Sequence, residues 1–113
     1  MKWNIPVVFG LMALALLVSG CAQAQTHNVN IERGGLHSAD RFSPDTITIR
    51  PGDSVNWTNL DENPHTVTSD SGSELGSNSL GQGKSYSHVF LQSGTYTYHC
   101  AVHPEMKGTV IVQ

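Results

Sequence analysis

The sequence has few basic residues, only two cysteines and no apolar run of membrane-spanning length. Six Lys and Arg stand against nine Asp and Glu, and they form no basic run, which argues against a nucleic-acid partner. The longest apolar run, Ile5 to Val18, is shorter than the roughly 20 residues that a permanent membrane helix needs. No helical stripe, internal repeat, Ser/His/Asp set or carboxylate pair is visible. The pattern therefore favours neither a helical protein nor a hydrolase.

The N-terminal segment predicts export, because a basic residue precedes the apolar run. The run ends in Leu17 to Cys21, which resembles a bacterial lipobox. We therefore expect residues 1–20 to be a signal peptide and Cys21 to be acylated. The residue after that cysteine is not Asp, which favours the outer membrane where the cell has one. Ordinary cleavage after Ala24 is the alternative.

Cleavage before Cys21 removes 20 of the 113 residues and leaves 93, enough for one small domain. We expect residues 21–26 to be a lipid-anchored tether and residues 27–113 to be the domain. Five basic and nine acidic residues then remain, a formal charge of −4. Cys100 would be the only thiol, so no disulfide within the domain is possible. A metal is a good reason to keep an unpaired thiol in an exported protein.

The rest of the chain alternates apolar and polar residues over short segments, as in Ile47–Ile49 and Val55–Trp57. Pro51-Gly52-Asp53 predicts a turn, since Pro presets its own φ and Gly accepts a positive φ. Val67 is expected in a short strand, and residues 69–83 are expected to form a long polar loop. About seven to eight strands separated by turn signals predict an all-β fold, a Greek-key antiparallel β-sandwich.

Metal-binding side chains are concentrated near the C-terminus, where Cys100, His103 and Met106 follow Cys-x2-His-x2-Met spacing. A hairpin loop of this length can wrap three side chains around one point. His65 would close the site from a neighbouring strand end. Two His, one Cys and a weak Met can bind both Cu(I) and Cu(II). Zinc is disfavoured because it prefers four strong ligands. The sequence therefore predicts one copper ion at these four residues.

These motifs resemble the small type 1 (blue) copper proteins of the cupredoxin superfamily, in the plastocyanin, amicyanin and pseudoazurin group. The resemblance covers about residues 29–112. It is carried by Phe42-x-Pro44, Pro51-Gly52-Asp53-x-Val55-x-Trp57-x-Asn59, Pro64-His65-Thr66-Val67, Gly94-x-Tyr96-x-Tyr98-x-Cys100 and Gly108-x-Val110.

The resemblance implies that Nδ1 of His65, Sγ of Cys100 and Nδ1 of His103 are strong ligands, with Sδ of Met106 as a weak axial ligand. These relatives often have Asn after the first histidine, where it ties two ligand loops together. Thr66 stands there in this chain, so the side-chain tie is expected to be altered. The remaining histidines have no evident second ligand beside them and are expected to be structural or surface residues: His27, His37, His88 and His99.

The resemblance also implies a function, the transfer of single electrons between redox partners outside the cytoplasm by Cu(I)/Cu(II) cycling. Protein partners are expected to dock transiently near His103, on an apolar rim of Ala101, Val102 and Pro104. The alternative is an exported copper-binding or copper-delivery protein without an electron-transfer role. An enzyme is not expected, because the copper enzymes of this superfamily need further copper sites and domains. We expect a periplasmic or cell-surface monomer that meets a membrane only through Cys21.

Overall fold

A computed structural model describes residues 23–113, so the predicted signal peptide and Cys21 lie outside the described residues. Two four-stranded sheets make up this part of the chain. Its eight strands are β1 (Thr26–Glu32), β2 (Arg41–Ser43), β3 (Thr46–Ile49), β4 (Ser54–Asn59), β5 (Thr68–Ser69), β6 (Ser85–Val89), β7 (Gly94–His99) and β8 (Lys107–Val112). One sheet has the order β2-β1-β4-β6 and the other has the order β3-β8-β7-β5. Residues 23–113 contain no helix that is long and apolar enough to cross a membrane.

The predicted all-β sandwich is confirmed, but both sheets are mixed rather than purely antiparallel. β1 lies parallel to β4, and β3 lies parallel to β8, while the other pairs are antiparallel. Neither parallel pair is joined by a tight turn, so no local signal sets the relative direction of its strands. The alternation of apolar residues predicts that a strand exists, but it does not identify the partner.

The core lies between the sheets and is filled from alternate strand positions. β4 shows this pattern clearly, because Val55, Trp57 and Asn59 are buried and the residues between them are not. Trp57 packs edge-on against Tyr98, with ring centroids 5.4 Å apart. Tyr98 in turn lies over Gly108, where any Cβ would overlap the tyrosine ring. Burial raises the pKa of Tyr98 to about 12, so this phenol stays neutral.

The parallel pairing of β1 and β4 determines which loops meet. Thr26 lies opposite Ser54 at the start of the two strands, and Ile31 lies opposite Asn59 at their other end. The loops that follow β1 and β4 therefore emerge at the same end of the sandwich. The N-terminus of β1 lies at the opposite end. Thr26 already belongs to β1, one residue before the predicted start of the domain, and the tether itself stays a prediction.

The end of the sandwich at which β1 begins is closed around Asp53, a buried residue in the predicted turn. The turn is confirmed, since Gly52 has a φ of 94°. Asp53 accepts hydrogen bonds from the backbone of Gln25 (2.9 Å) and Arg50 (3.2 Å) and from Nε2 of His27 (3.0 Å). These donors, Gln25 first, lower the pKa of Asp53 to about 2. The hydrogen bonds stabilise the folded state through the charged carboxylate of Asp53. This stabilisation is complete at a pH above the usual aspartate pKa and is lost as the pH falls toward about 2.

The structure differs from the sequence-based expectation in the start of the short strand near Val67 and in the burial of two residues in the polar loop. β5 begins one residue later, at Thr68, and Val67 itself is fully buried. In the loop, Leu75 and Leu80 are buried in the core. Their burial could not be predicted from the sequence, because isolated leucines in a Ser/Gly-rich segment show no periodicity.

Candidate metal centre

Three of the four predicted ligand residues converge at the end of the sandwich where the loops after β1 and β4 emerge. Ligand atoms of His65, Cys100 and His103 all lie within 4.8 Å of one another. Sγ of Cys100 is 3.6 Å from Nδ1 of His65 and 4.0 Å from Nδ1 of His103. The two imidazole rings are 5.0 Å apart and tilted by 43°. The residues come from two loops that are 35 positions apart in the sequence.

The loop between β7 and β8 is closed by its own backbone. The amide of Cys100 donates to the carbonyl of Met106 (3.1 Å), and the amide of Met106 donates to the carbonyl of His103 (2.9 Å). These two hydrogen bonds place Cys100, His103 and Met106 in one tight turn. Cys100 and Met106 are buried, whereas His103 is partly exposed. His103 is therefore the most exposed of the four predicted ligand residues.

The first histidine is held rigidly by the segment around it. His65 is fully buried, and its backbone exchanges two hydrogen bonds with Leu80 (3.1 and 2.8 Å). Asn59 at the end of β4 donates from Nδ2 to the carbonyls of Asn63 and Leu80, at 2.8 Å each. Buried polar groups with satisfied bonds of this kind define one backbone arrangement.

Asp61 is a residue of the site that the sequence analysis missed. Its Oδ2 lies 2.7 Å from Nε2 of His65, and both side chains are buried. A carboxylate can only accept, so Nε2 carries the proton and the lone pair of Nδ1 faces Cys100. The bond from His65 lowers the pKa of Asp61 below its usual range, against the opposing effect of burial. The only signal in the sequence was an Asp four residues before a predicted ligand.

Thr66 connects the two ligand loops in two ways. Its backbone amide donates to Sγ of Cys100 at 3.4 Å. Its Oγ1 accepts a hydrogen bond from the amide of Ala101 at 2.8 Å and also bonds Oγ1 of Thr68 at 3.0 Å. The side-chain connection expected to be altered by threonine is therefore present, with the hydroxyl as acceptor.

Three of the other histidines each contact a single carboxylate. His27 bonds Asp53, while His88 bonds Glu74 (2.7 Å) and His99 bonds Asp70 (2.6 Å). Within residues 23–113, none of them joins a group of three converging ligand atoms. A second converging group, Asp40, Asp61 and His65, shares its histidine with the first.

The donor set fits copper. Two imidazole nitrogens and a cysteine sulfur face one another, and a thioether residue ends the same loop. Soft sulfur suits Cu(I), and imidazole suits Cu(II). The proton on Nε2 of His65 leaves Nδ1 free to bind a metal, which is the usual arrangement of a metal-ligating histidine. Met106, the fourth predicted ligand, is buried at the end of the same loop.

Comparison with known proteins agrees with this chemistry. The profile described as a cupredoxin-like domain matches residues 7–112. Amicyanin from Paracoccus denitrificans is 32% identical over 77 residues, which cover 65% of this chain and 59% of that protein. The chain therefore spans less than two thirds of that relative. Chloroplastic plastocyanin from Tetradesmus obliquus is 34% identical over 114 residues, covering 89% of this chain and 79% of the relative.

Solved structures show the same likeness. A purple cupredoxin from Nitrosopumilus maritimus superposes with a TM-score of 0.70 at 32% identity. The superposition covers 77% of this chain and 99% of that structure. The region in common is therefore almost the whole of the part that the structure describes.

Replacement of Thr66 by Val tests the connection between the ligand loops. Thr66→Val removes the hydroxyl that accepts from Ala101, so we expect the free energy of unfolding to fall by about 1 kcal/mol. Urea denaturation of the copper-free protein measures the change without a contribution from the metal. Thr66→Ser keeps the hydroxyl and is the matched control. Equal stability of the two variants would contradict the assigned role.

Proposed function

The chain belongs to the cupredoxin-like family, and we propose that it is a type 1 copper protein that carries single electrons between protein partners. The convergence of His65, Cys100 and His103 at one end of the sandwich carries this proposal. Bound copper would supply one-electron chemistry by alternating between Cu(I) and Cu(II). The similarity of the chain to amicyanin and plastocyanin supports the same proposal. We propose the ligand set His65, Cys100, His103 and Met106.

The protein residues would hold the ligands nearly fixed during electron transfer. The amide of Thr66 donates to Sγ of Cys100, which restrains the cysteine side chain. Asp61 bonds Nε2 of His65 and restrains the imidazole ring in the same way. Burial of Cys100 and Met106 excludes water from the sulfur ligands. His103, the most exposed of the four proposed ligands, would connect the buried site to a docked partner.

The visible spectrum tests the copper proposal. Addition of Cu(II) to the purified domain is expected to produce an intense thiolate charge-transfer band, which ascorbate bleaches reversibly. Cys100→Ser should abolish the band, because it removes the thiolate, whereas Thr66→Ser should retain it. If the unchanged protein gives a pale spectrum without this band, the proposal that it carries electrons is contradicted. Copper binding without reversible reduction would instead favour a copper-binding or copper-delivery protein.

We propose that redox partners dock on the exposed rim around His103. Ala101, Val102 and Pro104 are exposed beside it, and Leu60, 51% exposed, follows the end of β4. Small and weakly polar surfaces of this kind suit transient redox encounters.

Electron self-exchange between two copies tests this docking surface, because the same rim would then meet itself. Val102→Lys should lower the self-exchange rate constant by about tenfold or more, since like charges would face each other in the encounter. Line broadening in mixtures of the Cu(I) and Cu(II) forms measures the rate. Leu91→Lys adds the same charge at an exposed site of the opposite end and should leave the rate near the original value. Equal effects of the two variants would contradict the docking surface.

We also propose that the protein is exported and anchored through Cys21, as the lipobox-like sequence indicates. β1 begins at the end of the sandwich opposite His65, so a lipid at Cys21 would leave the metal end facing away from the membrane. Mass spectrometry of the mature N-terminal peptide is expected to find an acylated Cys21. An unmodified N-terminus at Gln25, after cleavage at Ala24, would contradict the anchor.

A further inference from the structure

A buried carboxylate lies directly behind the first histidine of the metal centre. Oδ2 of Asp61 is 2.7 Å from Nε2 of His65, and the two side chains are 1% and 0% exposed. We propose that Asp61 is a positioning residue that also tunes the metal: it orients His65 and, through its negative charge, favours Cu(II) over Cu(I). This inference rests on the proposed copper function and concerns the reduction potential of that same site.

The position of Asp61 is set by the chain and does not depend on a metal. The amide of Asp61 donates to Oδ1 of Asn59 at 2.9 Å, and Asn59 is itself fully buried. Asp61 and His65 are separated by four positions, and the carboxylate accepts the proton of Nε2. Nδ1 is thereby kept unprotonated and directed at Sγ of Cys100, 3.6 Å away.

The carboxylate of Asp61 faces neutral donors, namely the ring of His65 and the nearby backbone amides of Asn63 and Glu62, which favour its charged form without cancelling its charge. Its Oδ1 is buried and has no hydrogen-bond partner among residues 23–113. A thiolate and two neutral imidazoles would give the oxidised centre a net charge of +1 and the reduced centre a net charge of zero. The carboxylate adds −1, so the oxidised site with Asp61 is neutral overall. Reduction would leave a net negative charge in a buried region, which is unfavourable.

A second carboxylate adds to this effect more weakly. Oδ2 of Asp40 is 3.8 Å from Nε2 of His65, and its side chain is 20% exposed. Oδ1 of Asp40 accepts from the amide of Gly34 at 2.9 Å, which fixes Asp40 within the loop after β1. Because Asp40 is farther away and partly hydrated, solvent screens its charge more than that of Asp61.

Measurement of the reduction potential of Asp61→Asn tests the proposal, because the amide keeps the shape and the acceptor oxygen but loses the charge. We expect the ratio of Cu(II) to Cu(I) affinity to fall at least tenfold, which raises the potential by about 59 mV or more for one electron. Asp61→Glu keeps the charge, so its reduction potential should stay closer to that of the unchanged protein. Glu62→Gln removes a neighbouring but exposed charge and should change the potential little.

Asp40→Asn provides a second test that leaves Asp61 in place, and it should raise the potential by a smaller amount. The copper-free protein supplies a separate readout: NMR should detect a solvent-protected proton on Nε2 of His65. An unchanged potential in both Asn variants, or a proton on Nδ1 with none on Nε2, would overturn the proposal. A second equivalent of copper that is lost in Asp61→Asn would also overturn it, since the carboxylates would then be ligands.

The proposed copper function and the proposed role of Asp61 can be contradicted separately. If the unchanged protein gives no thiolate charge-transfer band with Cu(II), the proposed function fails. If that band is present and reversible while the potential of Asp61→Asn equals that of the unchanged protein, the copper function stands and the role of Asp61 is wrong.

Discussion

The metal end of this protein depends on the contact between two loops at Thr66. One loop supplies His65 and the other supplies Cys100, and the two residues are 35 positions apart. The backbone amide of Thr66 contacts the sulfur, and its hydroxyl accepts from the amide next to that sulfur. Separation of the loops would break both bonds, and each bond therefore helps to hold the two ligand segments together. A site held in this way resists the different geometries that Cu(I) and Cu(II) would each prefer.

The sandwich brings these loops together through its strand directions. Parallel pairing of β1 with β4 places the loops after both strands at one end, and Cys100 follows β7 at that same end. Asp40 and Asp61 therefore come from two different loops and approach the same nitrogen of His65. The opposite end is closed independently, by the hydrogen bonds to Asp53. The two ends are therefore stabilised separately, which is compatible with the proposed attachment at one end and the proposed electron exchange at the other.

Sequence reasoning could propose ligands where the chemistry is rare and the spacing is short, and the structure brings Cys100 and His103 together with His65. Cys100, His103 and Met106 lie within seven positions, and few structural roles require that combination. It failed where the information lies in three-dimensional contacts. Asp61 resembles a solvated loop carboxylate until its contact with His65 is known, and Leu75 and Leu80 lie in a segment that is polar on average. The parallel strand pairs were missed for the same reason, because direction depends on partners that are distant in sequence.

The central claim is that one preformed set of residues holds copper in both oxidation states. X-ray absorption at the copper edge, measured on the oxidised and the reduced protein, tests it most directly. Two nitrogen ligands and one short sulfur ligand are expected in both states, with little change in bond length. Loss of the sulfur or of one histidine on reduction would contradict it, because the protein would then rearrange its ligands for each electron.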